Sequence, residues 1–334
     1  MEATLVLRDP SGVADARRHT LQIAKSIELP EKRHADAALV VTELATNILK
    51  YAGEGELLLR SFPASTVAGP QTGLEIIALD KGPGITNLVA AQTDGFSTGG
   101  SLGAGLGTIS RHSDVFDIYS LSGSGTAVLA QITGARRSEE DRFSVGARTT
   151  PKRGQEMCGD AWAVKTTGHV QWVVLLDGLG HGPLAAEASR RAVETFQASK
   201  GSDMPEDVLR TAHVDLKATR GAVMAVAKFD TANAIMNFAG VGNIVAIVSG
   251  ETELDHLLST DGTVGYNMRT VRPSQAAWRL GRVFIATTDG LSTRWNLNRH
   301  PGLIKKHPSL IASVLHRDFA RDLDDATVVI VKAV

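Results

Sequence analysis

At 334 residues the chain exceeds the usual size of one hydrophobic core, so length alone predicts two domains. Apolar residues make up 43% of it and charged residues 21%, with a formal net charge of -1. That balance fits ordinary folded domains and excludes the disordered and membrane classes. No run of Lys and Arg interleaved with aromatics argues for nucleic-acid binding, and no apolar run approaches transmembrane length. The single cysteine, Cys158, cannot form an intrachain disulfide, which is compatible with a reducing cytosol. No particular His pairs with it, so a small buried residue is favoured over a catalytic thiol. The first residues, MEATLVLRDPSG, lack a charged n-region followed by a long apolar one. A cytoplasmic protein with neither membrane nor nucleic acid as a partner is expected.

In chain order, the first block runs from about 5 to 134. Apolar spacing predicts helices over 15–26 and 32–51, with Pro30 breaking the chain between them. Short β-branched and aliphatic segments at 57–62, 74–79, 115–120 and 126–132 predict strands. The expected architecture is an α/β sandwich, with helices over one face of a mixed sheet. The charged stretch ARRSEEDR at 135–142 then marks a boundary. The domains are therefore expected at 1–135 and 145–334, joined by a linker over 136–144. In the second block, strands are predicted at 162–164, 170–176, 221–229, 234–239, 244–248, 283–287 and 327–331, and helices at 183–198 and 205–218. Many strands with few helices imply an α/β layered β-sandwich.

Four signals of the first block concern a nucleotide. Glu43 and Asn47 are four residues apart on one helix, so they project from one face. An acid and an amide oxygen placed together suit magnesium chemistry, although a solvated helix face would look the same. Asp80 ends an apolar strand and opens DKGPGI, where a carboxylate can accept from an exocyclic amine such as that of adenine; an acidic turn is the plainer alternative. Glycines at 99–107 precede a helical segment and can turn backbone N–H groups toward phosphate. The hydroxyl of Thr126, before the last strand, can help complete a base pocket.

In this order the motifs ELATN, DKGPGI and GAGLG resemble the Bergerat-fold ATPases of the histidine-kinase-like superfamily, over about 8–133. Within it, the form without a dimerisation helix or phospho-accepting His box is similar to the anti-sigma-factor and switch serine kinases. The resemblance implies ATP with Mg2+, Glu43 as general base for a protein hydroxyl, Asn47 as magnesium ligand and Asp80 as adenine reader. Gly82, Gly84, Gly103, Gly105 and Gly107 would shape the pocket. Residues 87–101 would form a short lid, which contains no Lys or Arg to meet the terminal phosphate.

In the second block four acids stand at strand-associated positions: Asp160, Asp177, Asp289 and Asp324. Converging at one edge, they would make a hard-oxygen site suited to Mg2+ or Mn2+, supporting direct hydrolysis of a phosphomonoester. Each alone also fits a cap or turn. Glycines follow two of them, so the carbonyl of Gly178 can join the coordination shell. The ordered set GD, DGLGHG, AGVGN, TTDGL and DDATVVIV resembles the PPM-type serine/threonine phosphatases of the SpoIIE-like branch, over about 145–334. The resemblance implies a metal site, of two ions, at Asp160, Asp177, Gly178, Asp289 and Asp324. Asp325 would be a less favoured ligand that orients the turn, and Gly240, Gly242 and Asn243 structural or substrate-edge residues. His181 has two readings, protonation of the leaving oxygen and stabilisation of the turn.

The implied function is a bacterial partner-switching regulator. One domain would be a phosphoserine/phosphothreonine phosphatase and the other an ATP-binding serine/threonine-kinase-like domain. The expected substrate is a phosphorylated STAS-domain anti-sigma antagonist. In the alternative, the N-terminal domain is a nucleotide-dependent module that captures a sigma factor or scaffold without kinase turnover. A third reading, a phosphatase-like block that serves only in interaction, is opposed by its four acids.

Overall fold

The structure is a computed structural model that describes residues 2–88, 105–136, 138, 143–250 and 253–333. It divides into two compact units, Met1–Asp141 with His300–Lys306 and Arg142–Arg299 with His307–Val334.

The first unit opens with β1 (Glu2–Leu7), α1 (Ser11–Ser26) and α2 (Glu31–Tyr51), followed by β2 (Gly55–Thr66) and β3 (Gly69–Asp80). A short helix α3 (Gly105–Arg111), β4 (Val115–Leu121) and β5 (Gly125–Ile132) complete it. Helix α1 starts before the predicted position because the Asp9 carboxylate accepts from the Ser11 amide at 2.8 Å, giving a first-turn N–H its partner. Pro30 precedes the first turn of α2, where its missing N–H costs nothing. Leu44, Val41 and Ile48 of α2 and Ile23 of α1 pack on Leu57, Leu59, Ile76, Ala78 and Val128 of the sheet, so both helices lie on one face.

The sheet order is β1-β2-β3-β5-β4. Every neighbouring pair is antiparallel, which corrects the expectation of a mixed sheet. The crossover from β3 to β4 runs in the parallel sense, as its helix implies, but it skips one position and β5 fills the gap in the opposite direction. Strand β1 was missed because a six-residue edge strand shows too few alternations to stand out.

The second unit contains β6 (Phe143–Thr150), β7 (Asp160–Thr167), β8 (Val170–Gly178), α4 (Pro183–Ala198) and α5 (Pro205–Asp215). Then follow β9 (Ala222–Asp230), β10 (Ile235–Val241), β11 (Val245–Ser249), β12 (Leu254–Leu257), β13 (Ser274–Ala277), β14 (Val283–Thr287), α6 (Pro308–Phe319) and β15 (Ala326–Ala333). They form two antiparallel sheets of five strands, β13-β10-β9-β8-β7 and β12-β11-β14-β15-β6. Alternation along β8 explains their faces. Val173 and Leu175 point into a core shared with Phe229, Phe238, Phe284, Val329 and Val331, whereas Trp172, Val174 and Leu176 pack under Phe196 and Leu209 of α4 and α5. Helix α6 lies against β6 and β15. Its residues from Pro308 to His316 are all buried, Ser309, Ser313 and His316 among them, and it was not anticipated. None of the described helices is long and apolar enough to cross a membrane.

Candidate functional site

In the first unit α2 brings Glu43 and Asn47 to one side, opposite the buried Leu44, Ala45 and Ile48. The start of α3 meets that pair. A Cβ on Gly105 would stand 3.2 Å from Glu43 Oε2 and 3.5 Å from the Asn47 amide nitrogen, so the α3 backbone approaches the pair closely and a side chain there would crowd Glu43. Asp80 is the last residue of β3, and its Oδ1 accepts from the amides of Gly82 at 2.8 Å and Thr126 at 3.1 Å. The Thr126 hydroxyl lies 2.9 Å from that of Ser120, which accepts from the Ile85 amide. Gly82 backs onto Ala52, just past the end of α2, so the Asp80 turn and the Glu43–Asn47 pair border the same helix. Gly84 lies against the Leu121 carbonyl, and Gly107 falls within α3. Gly103 and residues 89–101 of the expected lid lie outside the described residues. Carboxylate, amide and helix-start N–H groups together fit a magnesium nucleotide.

The far end of α3 is fastened by residues that the motifs did not indicate. His112 Nδ1 lies 2.7 Å from Asp36 Oδ1. Arg33 binds Asp36 and Asp114 at 2.6 Å each, and Asp114 also accepts from the amide and hydroxyl of Thr133. Distant in sequence, these side chains join the start of α2 to the end of α3 and the ends of β4 and β5.

In the second unit Asp160 and Asp177 are direct partners across the β7–β8 pair, which puts two like charges side by side at the end of one sheet. Asp289 follows β14 and Asp324 precedes β15 in the other sheet. Thr288 joins the two sheets: its hydroxyl donates to Asp160 Oδ2 at 2.7 Å and accepts from the Thr327 amide at 2.9 Å. Asn243 donates to Asp289 Oδ2 at 2.7 Å. Asp325 is 3% exposed and accepts from the amides of Lys152 and Gly159 at 2.7 and 2.8 Å; it holds the turn that carries Asp160. Thr288 was missed because a hydroxyl beside an acid carries no periodic or spacing signal.

Burial lifts Asp160 to about 7, against the opposing effect of the Thr288 hydroxyl. Burial together with the negative charge of Asp160, Asp289, Asp324 and Asp325 lifts Asp177 to about 8. The four acids and Asp325 therefore share one electrostatic environment. Among the described residues no three His, Cys, Asp or Glu side chains are grouped closely enough to hold a metal ion as they stand. Asp160 Oδ1, however, is buried without a hydrogen-bond partner. An orphaned buried carboxylate oxygen surrounded by like charges is the chemistry that a hard dication satisfies, and these residues fit Mg2+ or Mn2+. The amide of Gly178 donates to the Gly159 carbonyl at 3.1 Å. A Cβ on Gly178 would stand 2.2 Å from the Ala185 carbonyl oxygen, so the close packing of α4 on this turn requires glycine. His181 is exposed and makes no side-chain hydrogen bond or ion pair among the described residues. Burial and nearby acids push the Cys158 thiol well above its ordinary range, which suits an inert residue.

Comparison with known proteins agrees with both halves. Residues 6–132 match the model of the histidine kinase-like ATPase domain. The serine/threonine-protein kinase RsbT of Bacillus subtilis is 36% identical over 118 residues, covering 35% of this chain and 86% of RsbT. The phosphoserine phosphatase RsbX of the same organism is 28% identical over 142 residues, covering 42% of this chain and 71% of RsbX. Among solved structures, a chain from work on the bacterial stressosome, a modular system adapted to control secondary messenger signaling, has a TM-score of 0.54 at 26% identity. That match covers 57% of this chain and 100% of the other. RsbX in complex with magnesium has a TM-score of 0.50 at 22% identity, over 59% of this chain and 98% of the other, and shows the shared fold. The chain belongs to the histidine kinase-like ATPase family, as a kinase-like domain joined in one polypeptide to a PPM-type phosphatase domain.

Proposed function

We propose that this chain is a bacterial partner-switching regulator whose second domain is a metal-dependent phosphoserine/phosphothreonine protein phosphatase acting on a STAS-domain anti-sigma antagonist. The observation that carries the phosphatase reading is the orphaned Asp160 oxygen among acids that raise one another's proton affinity. Asp160, Asp177, Asp289, Asp324 and the Gly178 carbonyl would hold Mg2+ or Mn2+. When bound, the ions supply Lewis-acid charge for transfer of the phosphoryl group to water. The chain itself fixes the ligands: Thr288 orients Asp160, Asn243 orients Asp289 and Asp325 holds the Gly159 turn. His181, exposed on the turn after Asp177 and without a partner there, is the candidate to protonate the leaving seryl oxygen. Large apolar side chains flank the acids in sequence, with Met157 48%, Leu184 57% and Leu323 79% exposed. Exposed apolar side chains near the acids in sequence favour a protein substrate over a small metabolite. The test is hydrolysis of a phosphorylated STAS protein with Mn2+ and with chelator. Turnover that is indifferent to the metal, or absent, would reject the reading.

In the first domain Glu43, Asn47 and Asp80 are the proposed ATP-binding and phosphoryl-transfer residues, with Glu43 the base for a protein hydroxyl. The absence of Lys and Arg from residues 87–101 favours a second reading, a nucleotide-dependent module that binds a sigma factor or scaffold. Incubation with labelled ATP, Mg2+ and the antagonist separates the two, since the second predicts bound nucleotide without transfer.

A further inference from the structure

The turn that carries the second acid has a cation placed on it that the phosphatase reading does not yet use. Pairing of β8 with β9 ends at Gly178 opposite Ala222. The two chains stay together one step further, where the Leu179 amide donates to the Gly221 carbonyl at 3.0 Å. That step brings Arg220 against Gly180. Arg220 Nη1 lies 2.9 Å from the point where a Cβ on Gly180 would stand, so the guanidinium lies in the space that the missing side chain leaves. Gly180 has a φ of +91°, a conformation that L side chains rarely adopt. On the other shoulder of the turn, Gln155 Oε1 stands 3.1 Å from the corresponding point on Gly182.

Arg220 is exposed, and among the described residues it makes no hydrogen bond and no ion pair, although Asp177 is only three residues from Gly180. A guanidinium on a long side chain beside a cluster of carboxylates would ordinarily fold onto one of them. Here it lies against Gly180 instead, with its donors still to be used. Its planar fork matches two oxygens of a phosphoryl group better than any other side chain does. The exposed His181 stands on the same turn.

We propose that Arg220 binds the phosphoryl oxygens of the phosphomonoester substrate from the Gly180 side of the acidic centre. This rests on the phosphatase reading and adds to it the group that recognises the dianion itself. Arg220 acts in binding and takes no part in proton transfer. A larger residue at Gly180 would displace the guanidinium from this position.

The experiment compares the full chain loaded with Mn2+ in unsubstituted form and as Arg220→Ala and Arg220→Lys. Inorganic phosphate binding is measured by titration calorimetry, and hydrolysis of a phosphoserine peptide by steady-state kinetics. A charge-assisted bidentate contact predicts that Arg220→Ala weakens phosphate binding and raises KM by about 10-fold or more. Arg220→Lys should recover part of this through charge alone. Mn2+ affinity should stay within about two-fold in both variants, because Arg220 touches no ligand. Phosphate binding within about two-fold of the unsubstituted protein in Arg220→Ala would overturn the proposal while leaving the phosphatase reading intact. An unsubstituted chain that binds no Mn2+ and hydrolyses nothing would overturn both.

Discussion

Replacing Asp160 by Asn should make the metal-free second domain more stable while abolishing its proposed activity. Asp160 is 6% exposed, with one oxygen on the Thr288 hydroxyl and the other unpartnered. Its proton affinity rises from the ordinary 3.8 to about 7, chiefly through burial. The folded state therefore holds the proton more tightly than the unfolded chain. The associated stability is complete below pH 3.8 and is lost as pH rises through about 7. That displacement corresponds to about 4 kcal/mol of stability lost by about pH 8, and to less than half of that by about pH 5. Asn cannot ionise, keeps a carbonyl oxygen for the Thr288 hydroxyl and turns an N–H toward the neighbouring acids. All four tryptophans, Trp162, Trp172, Trp278 and Trp295, belong to the second unit, so their fluorescence in urea follows that unit alone. In chelator, Asp160→Asn should exceed the unsubstituted protein by several kcal/mol at about pH 8 and by less than half of that at about pH 5. Saturating Mn2+ should reverse the order, and phosphatase turnover should be lost. Equal unfolding midpoints in chelator at about pH 8 would refute the electrostatic account of this centre.

Glu43→Gln should abolish any transfer of label from ATP to the antagonist and leave phosphomonoester hydrolysis unchanged, both assayed on one preparation. Asn243→Ala removes the amide that holds Asp289 and should weaken Mn2+ binding by about 10-fold or more in a metal titration. Asp325→Ala leaves two backbone amides without their buried acceptor and should cost about 2–4 kcal/mol in a urea melt. Gly178→Ala forces a methyl group toward the Ala185 carbonyl. The expected loss is about 1–3 kcal/mol of stability, together with most of the turnover.

What the sequence made legible was the part of each site that interrupts a pattern. Asp80, Asp177 and Asp289 end apolar strands and are followed by glycine within two residues, so they stand out against the runs that precede them. Glu43 and Asn47 were legible through helical spacing. Thr288 and Asn243 were not assigned their positioning roles, because their partners Asp160 and Asp289 lie 128 and 46 residues away, and only the packing of two sheets brings each pair together. Asp114 likewise meets Arg33 across 81 residues. Strands were readable where β-branched residues clustered. Strand β6, with Gly146 and Arg148 in its middle, lacked the local contrast on which such reading depends. The mixed-sheet expectation failed for a topological reason: local sequence describes the crossover from β3 but not the strand that inserts beside it.

The fastening at His112 gives α3 the mechanics of a lever. Seven residues of helix make a rod about 10 Å long, held at one end by Asp36 through His112 and reaching Glu43 and Asn47 at the other. With the pivot fixed, a tilt of about 10° carries the tip through about 2 Å, the difference between a hydrogen bond made and one lost. Ile109 at mid-length is buried in the core, so the helix is held along its length as well as at His112. Asp36, Arg33 and Asp114 lie at the opposite end of the helix from Glu43 and Asn47.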